Sequence, residues 1–138
     1  MPYKVYFAAR YSRREELNRY RIELQEAGIE VTSHWLTADP PVPVSRLTAA
    51  HWRVLAETDR QDIVRADALI AFTESPAGGN GGRHVELGIA IGLGKTIIIL
   101  GEPEHLFHHL EQVFVVPDWN TALLRLRNLA GENNSLVG

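Results

Sequence analysis

Ala68-Leu69-Ile70-Ala71-Phe72, then a loop from Thr73 to Gly82 with four glycines and one proline, then Arg83 to about Leu93: this stretch decides the fold. Five apolar residues in a row are the mark of a strand covered on both faces. Arg83 to Leu93 reads as a helix whose small residues Gly88, Ala90 and Gly92 let it pack closely on a sheet. Thr96-Ile97-Ile98-Ile99-Leu100 is a second buried strand. Strand, helix and strand joined this way make a parallel pair with a crossover.

The pattern repeats in both directions. Upstream, Val5-Tyr6-Phe7-Ala8-Ala9 reads as a buried strand. Ser12 is placed to cap a helix, with Glu15 three residues on, and Leu17, Tyr20, Leu24 and Ala27 follow at helical spacing before Gly28. Ile29-Glu30-Val31-Thr32 is a strand, Thr37–Pro43 a loop with three prolines, and Ser45 a cap for a helix reaching about Arg65. Downstream come a short helix near His105–Gln112, a strand Val113–Val116, a helix Thr121–Leu129 and a flexible tail, 132–138. Alternating strands and helices without hairpin signals predict an α/β fold. It is a single-domain flavodoxin-like or Rossmann-like sandwich over 1–131, its five-stranded parallel sheet flanked by helices. Ligands of such sheets sit at the carboxyl ends of the strands, which singles out the loops Arg10–Arg14, Thr32–Leu36 and Thr73–Gly82.

Composition narrows the function. A formal net charge of −3 gives no electrostatic footprint for duplex nucleic acid. The absence of cysteine removes disulfides, thiolate metal sites and a cysteine nucleophile. The longest apolar stretch, around Leu87–Leu100, is broken by Gly88, Gly92, Gly94 and Lys95, so no membrane span is expected. With no targeting signal, a cytoplasmic location is the default expectation.

The glycine loop carries the chemistry. Gly78-Gly79-Asn80-Gly81-Gly82 permits close backbone approach, and the helix behind it aims N–H groups at whatever occupies the loop, which suits an anion. Arg83 can add a charge-assisted contact. Glu86 is read on the first turn, where the helix dipole favours its ionised form. By itself this is equally a connector followed by a surface acid. Walker and dinucleotide fingerprints both fail: Gly94-Lys95-Thr96 precedes a strand, and the first strand ends in Ala8-Ala9-Arg10. Taken singly, Tyr6 is a core tyrosine, and Asp59 and Asp62 form a solvated helix face.

As a set these residues resemble the nucleoside 2-deoxyribosyltransferase family, including its nucleotide N-glycosidase branch. The resemblance runs from about Val5 to Val116. Its carriers are the tyrosine of the first strand, Asp59 eight residues before the Asp67 of Ala66-Asp67-Ala68-Leu69-Ile70, and Gly82-Arg83-His84-Val85-Glu86-Leu87-Gly88-Ile89-Ala90. It implies that Glu86 is the nucleophile on the anomeric carbon, that Asp59 contacts the base and helps protonate it, and that the Tyr6 hydroxyl steadies the carboxylate. Water then hydrolyses the glycosyl intermediate, or a second base captures it as in a deoxyribosyltransferase. The resemblance implies no cofactor and no metal, although His105, His108 and His109 invite a metal reading.

For substrate binding, the resemblance implies a 5'-phosphate held between the loop Arg10-Tyr11-Ser12-Arg13-Arg14, with Ala9 before it, and the glycine loop with Asn80, Gly82 and Arg83. A capping serine and a solvated basic turn remain the alternative for the first segment. A neutral Asn80 favours a nucleotide over a nucleoside. His34 and Trp35 stand where a base can be stacked or hydrogen-bonded, or Trp35 packs under the proline-rich loop. The family shares sites between subunits, so a homodimer or higher homo-oligomer is implied. The nearest matches to the neighbour's contact are His108 and His109, next to Phe107. Two other readings stand behind: a phosphoribohydrolase of the Pro-Gly-Gly-x-Gly-Thr-x-x-Glu type, and a non-catalytic nucleotide sensor.

Overall fold

Side-chain parity along the first strand organises the molecule. In β1 (Lys4–Ala8), Val5 and Phe7 point to one face of the sheet and Tyr6 and Ala8 to the other, all four fully buried. The computed structural model describes residues 2–74 and 81–137, with side chains as far as residue 132. The other strands are β2 (Glu30–Val31), β3 (Ala68–Phe72), β4 (Thr96–Leu100) and β5 (Val113–Val116). All pairs are parallel and the order is β2-β1-β3-β4-β5. This is the flavodoxin-like order, and it puts the topological switch point at β1 and β3.

Four helices cover the two faces: α1 (Arg14–Glu26), α2 (Ala49–Arg65), α3 (Gly82–Gly92) and α4 (Trp119–Val137). On one face Phe7, Phe72 and Ile98 pack with Leu17 and Leu24 of α1 and with Trp119, Ala122 and Leu126 of α4. On the other, Tyr6, Leu69, Ala71 and Ile99 pack with Ile63 of α2 and Leu87 and Ala90 of α3. Tyr6 therefore lies under α2 and α3, the helices that carry Asp59 and Glu86.

Several local expectations are corrected. Ser12 caps nothing: it lies in a 3-10 turn, Tyr11–Arg13, which delays α1 to Arg14. Ser45 sits in another such turn, Val44–Arg46. Thr48 caps α2 instead, accepting from the His51 N–H while the His51 ring accepts from the Thr48 N–H. The segment near His105–Gln112 makes only a 3-10 turn, Leu106–His109. The last helix extends beyond Thr121–Leu129 at both ends, and the backbone of 132–137, expected as a tail, continues it. Gly131 weakens a helix without ending it.

The strand expected over Ile29–Thr32 shrinks to two residues because side chains take over its ladder. The Phe7 N–H donates to Ser33 Oγ at 2.8 Å, and the Trp35 indole N–H donates to the Phe7 carbonyl at 2.9 Å.

Behind β4, Gly101 has φ +119°, and a Cβ there would lie 2.2 Å from Thr73 Oγ1. Gly101→Ala is therefore expected to cost about 1–3 kcal/mol of stability, through both backbone strain and displacement of Thr73. Urea denaturation measures this, and an unchanged midpoint would refute it.

Candidate active site

The three residues expected to do chemistry come together at the carboxyl end of β1. Glu86 is the fifth residue of α3, behind the N-cap Gly81, whose φ of +84° makes the turn into the helix. It lies past the first turn, so the dipole has little hold on it. Burial raises its pKa to about 8, the Tyr6 hydroxyl opposes that rise, and the charge of Asp59 adds to it. The expectation of a dipole-stabilised carboxylate is thus reversed: desolvation outweighs the helix.

Burial likewise raises Asp59 to about 6, with Asp62 adding to the rise and His34 opposing it. The Tyr6 phenol is pushed far up by burial, then by Glu86 and Asp59. Among the described residues, neither the Tyr6 hydroxyl nor Glu86 Oε2 closes a well-formed hydrogen bond, although both are buried. Two acids and a phenol so coupled, with polar atoms awaiting partners, form the kind of perturbed cluster that marks a reaction centre.

Glu86 opens onto a cavity of about 370 Å³. Its walls are Ala9, Arg10, Tyr11 and Ser12 from the loop after β1, and Gly81, Gly82 and Arg83 at the start of α3. Five of the expected binding residues (Ala9, Arg10, Ser12, Gly82 and Arg83) thus share one cavity with the proposed nucleophile. Tyr11 and Gly81, which belong to the same two expected loops, complete the wall. Asn80 lies outside the described residues.

Other expected ligands are engaged elsewhere. Arg13 is turned to Glu16, at 2.9 and 3.0 Å, and to the Thr73 carbonyl at 3.2 Å, so it ties the loop after β1 to that after β3 and is absent from the cavity wall. Arg83 reaches the wall, but its guanidinium forms a two-pronged pair with Glu104, one arm at 2.8 Å, with both side chains almost fully buried. Burial pushes Glu104 upward, yet its bond to Arg83 holds its carboxyl below the ordinary value. No sequence signal marked Glu104 between Pro103 and His105. Trp35 is half-buried against both core clusters, lies tilted to the Tyr11 ring at 6.2 Å between centroids, and spends its indole N–H on the Phe7 carbonyl.

His34 is largely exposed and rests on Asp62, with Nδ1 2.7 Å from Oδ1. Asp62 itself is 1% exposed, which corrects its reading as part of a solvated face. A buried carboxylate must find donors, and this one also accepts from the His34 N–H and from Arg65, each at 2.9 Å.

His108 is 1% exposed and belongs to a different cluster, with His84 and His105, while His109 is exposed. Burial of His108 conflicts with its expected place as a contact offered to a neighbouring subunit. The three rings present ligating nitrogens within 4.8 Å of one another. However, His108 Nδ1 accepts from the Glu104 N–H at 2.9 Å, which puts the proton of the neutral ring on Nε2. Metal-bound histidines keep the opposite arrangement, with the free nitrogen as donor. Burial, then the neighbouring His105, lowers the pKa of His108 to about 4, so the ring is neutral.

Among the described residues, no helix is long and apolar enough to cross a membrane. A direct sequence search of curated proteins gives no match. Solved structures give several. A 2-deoxyribosyltransferase from Bacillus psychrosaccharolyticus superposes with a TM-score of 0.65 at 20% identity, over 87% of this chain and 90% of that one. The CMP N-glycosidase BcmB of Clostridium botulinum gives 0.54 at 22% identity, over 89% and 97%. A conserved protein from Enterococcus faecalis V583 gives 0.64 at 16%, over 93% and 99%. At such identities the likeness establishes the fold. The family model for nucleoside 2-deoxyribosyltransferase, however, matches residues 5–135, nearly the whole sheet and all the site described above. The chain belongs to the nucleoside 2-deoxyribosyltransferase family.

Proposed function

We propose that the protein cleaves the N-glycosidic bond of a nucleoside 5'-monophosphate, ribo or 2'-deoxy, and releases the free base. The observation that carries this reading is Glu86 facing a cavity shared with Arg10, Ser12 and the first N–H groups of α3, with Asp59 and Tyr6 in electrostatic contact behind it.

The reaction follows the two-step logic of a retaining glycosidase. Glu86 attacks C1' as the carboxylate, and a C1'–O bond forms as the C1'–N bond breaks. Asp59, protonated, gives its proton to the departing base. Water then attacks C1', Asp59 takes up its proton, and Glu86 is released. The Tyr6 hydroxyl favours the ionised form of Glu86 and steadies it between steps.

The 5'-phosphate fits at the N-terminus of α3, where N–H groups and the positive end of the dipole meet Arg10 and Ser12 on the opposite wall. The likeness to a CMP N-glycosidase supports the nucleotide reading, and the likeness to a 2-deoxyribosyltransferase supports transfer as the second reading. The apolar groove beside α3, lined by Val85, Ile91 and the exposed Leu106 and Phe107, is the surface on which a second copy would dock.

The test is chromatographic. The protein is incubated with each ribo- and deoxynucleoside monophosphate and with the matching nucleosides. Free base from the monophosphates, at rates at least about tenfold above those from the nucleosides, is the expected result. Formation of a new nucleoside when a second base is added would move the assignment to transfer. Saturable binding without any product would mark a sensor.

A further inference from the structure

We infer that Glu104 is a positioning residue for the phosphate end of the cavity: from the segment after β4 it grips Arg83 and so sets the first turn of α3, whose N–H groups face the 5'-phosphate, while Arg83 serves as an anchor and not as a phosphate ligand. The inference rests on the phosphate position proposed above.

The start of α3 does little to fix itself. Its N-cap is Gly81, which offers no side-chain bond, and Gly82 follows. The hold comes from the segment after β4. The Glu104 carboxylate accepts from both Nη1 and Nη2 of Arg83, the second arm at 2.8 Å, with both side chains almost fully buried. Burial opposes the ionised form of Glu104, and the bond to Arg83 and a backbone hydrogen bond from Glu74 overcome it. The Glu104 N–H donates to His108 Nδ1 at 2.9 Å, so the backbone that carries the carboxylate is held as well. One residue further along each element, His84 Nδ1 and His105 Nε2 lie 3.2 Å apart. The segment after β4 thus holds α3 at its second and third residues.

Arg83 also lines the cavity, together with Gly81, Gly82 and Glu86. To bind phosphate with its guanidinium it would have to give up Glu104, and a buried carboxylate left without its partner is costly. A well-formed buried pair of this kind fixes geometry more than it adds stability. Here the geometry it fixes is the turn that presents N–H groups to the anion, opposite Arg10 and Ser12.

Calorimetry with inorganic phosphate tests this on the unmodified protein, on Glu104→Met, on Arg83→Met and on the double variant. Apolar side chains of similar volume commonly replace a buried ion pair without loss of folding, so the double variant separates lost grip from lost structure. All three variants are expected to bind phosphate about tenfold more weakly, the double no worse than either single. Glu104→Gln, whose amide oxygen still accepts from one arm of Arg83, should retain more affinity than Glu104→Met. In turnover by Glu104→Met the loss should fall on KM for the monophosphates rather than on kcat or on KM for the matching nucleosides; a general loosening of the fold would move all three. Tighter phosphate binding in Glu104→Met with weaker binding in Arg83→Met would make Arg83 the ligand and overturn the inference. So would a double variant that binds phosphate as well as the parent, which would leave the pair a structural one. If no nucleotide yields base, the proposed reaction fails and the phosphate Kd values alone decide the inference. If the unmodified protein binds no phosphate, the phosphate position falls and the inference with it.

Discussion

Glu86→Gln is expected to lower base release at least about a thousandfold while making the protein more stable at pH 8, on the order of 3 kcal/mol. The two effects have one cause. Burial lifts the Glu86 carboxyl from its ordinary value of 4.5 to about 8, so ionising it in the folded state is costly. Between those values the folded protein binds a proton that the unfolded chain has released, and stability falls as pH rises through the window. The cost is absent below about 4.5 and complete above about 8. A neutral amide of the same shape escapes it and cannot form the glycosyl bond. Denaturation curves for the two proteins should therefore coincide near pH 4 and separate toward pH 8. A Glu86→Gln protein less stable than the parent at pH 8 would show that the carboxylate is held by favourable contacts, contrary to this account.

The second large effect is expected at Asp59. Asp59→Asn should reduce kcat/KM about a hundred- to a thousandfold, the usual loss for a general acid. The pH profile tells this apart from a loss of binding. Chemistry needs Glu86 ionised and Asp59 protonated, whereas their values of about 8 and about 6 make the opposite pairing the commoner one. The coupled acids give a bell with limbs near 6 and 8, and a minority of molecules is active at any moment. Removing the Asp59 charge also removes one cause of the rise at Glu86. Asp59→Asn should thus lose the descending limb and keep a single rise with its midpoint below 8. A bell-shaped profile unchanged in the variant would take Asp59 out of the proton transfer.

Much of this was legible in the sequence because it rests on periodicity and on side chains with few structural uses. The uninterrupted runs Ala68–Phe72 and Thr96–Leu100 mark buried strands of a parallel sheet, whereas the choice between flavodoxin-like and Rossmann-like order comes from the structure. That Tyr6 faces α2 and α3 follows from strand parity only once the fold shows which face those helices cover. What escaped depends on distant pairing. Asp62 and Asp59 look alike along α2, and only the arrival of His34, 28 residues away, makes one of them a buried anchor. Arg83 reads in the sequence as a phosphate ligand, and its pairing with Glu104, 21 residues away, carries no local sign. Ser12 and Ser45 carried valid capping chemistry, but the 3-10 turns that contain them moved the helix starts. The sign of the shift at Glu86 was misjudged because the helix dipole is a local feature and burial is not.

The central claim is that Glu86 itself bonds to the sugar. Rapid acid quenching during turnover of a nucleoside monophosphate, followed by peptide mass spectrometry, tests it most directly; a 2'-fluoro substrate can prolong the intermediate. The account predicts a sugar-phosphate adduct on the peptide that contains Glu86, absent in Glu86→Gln. Base release with no adduct on that peptide, or with the adduct on another residue, would contradict it.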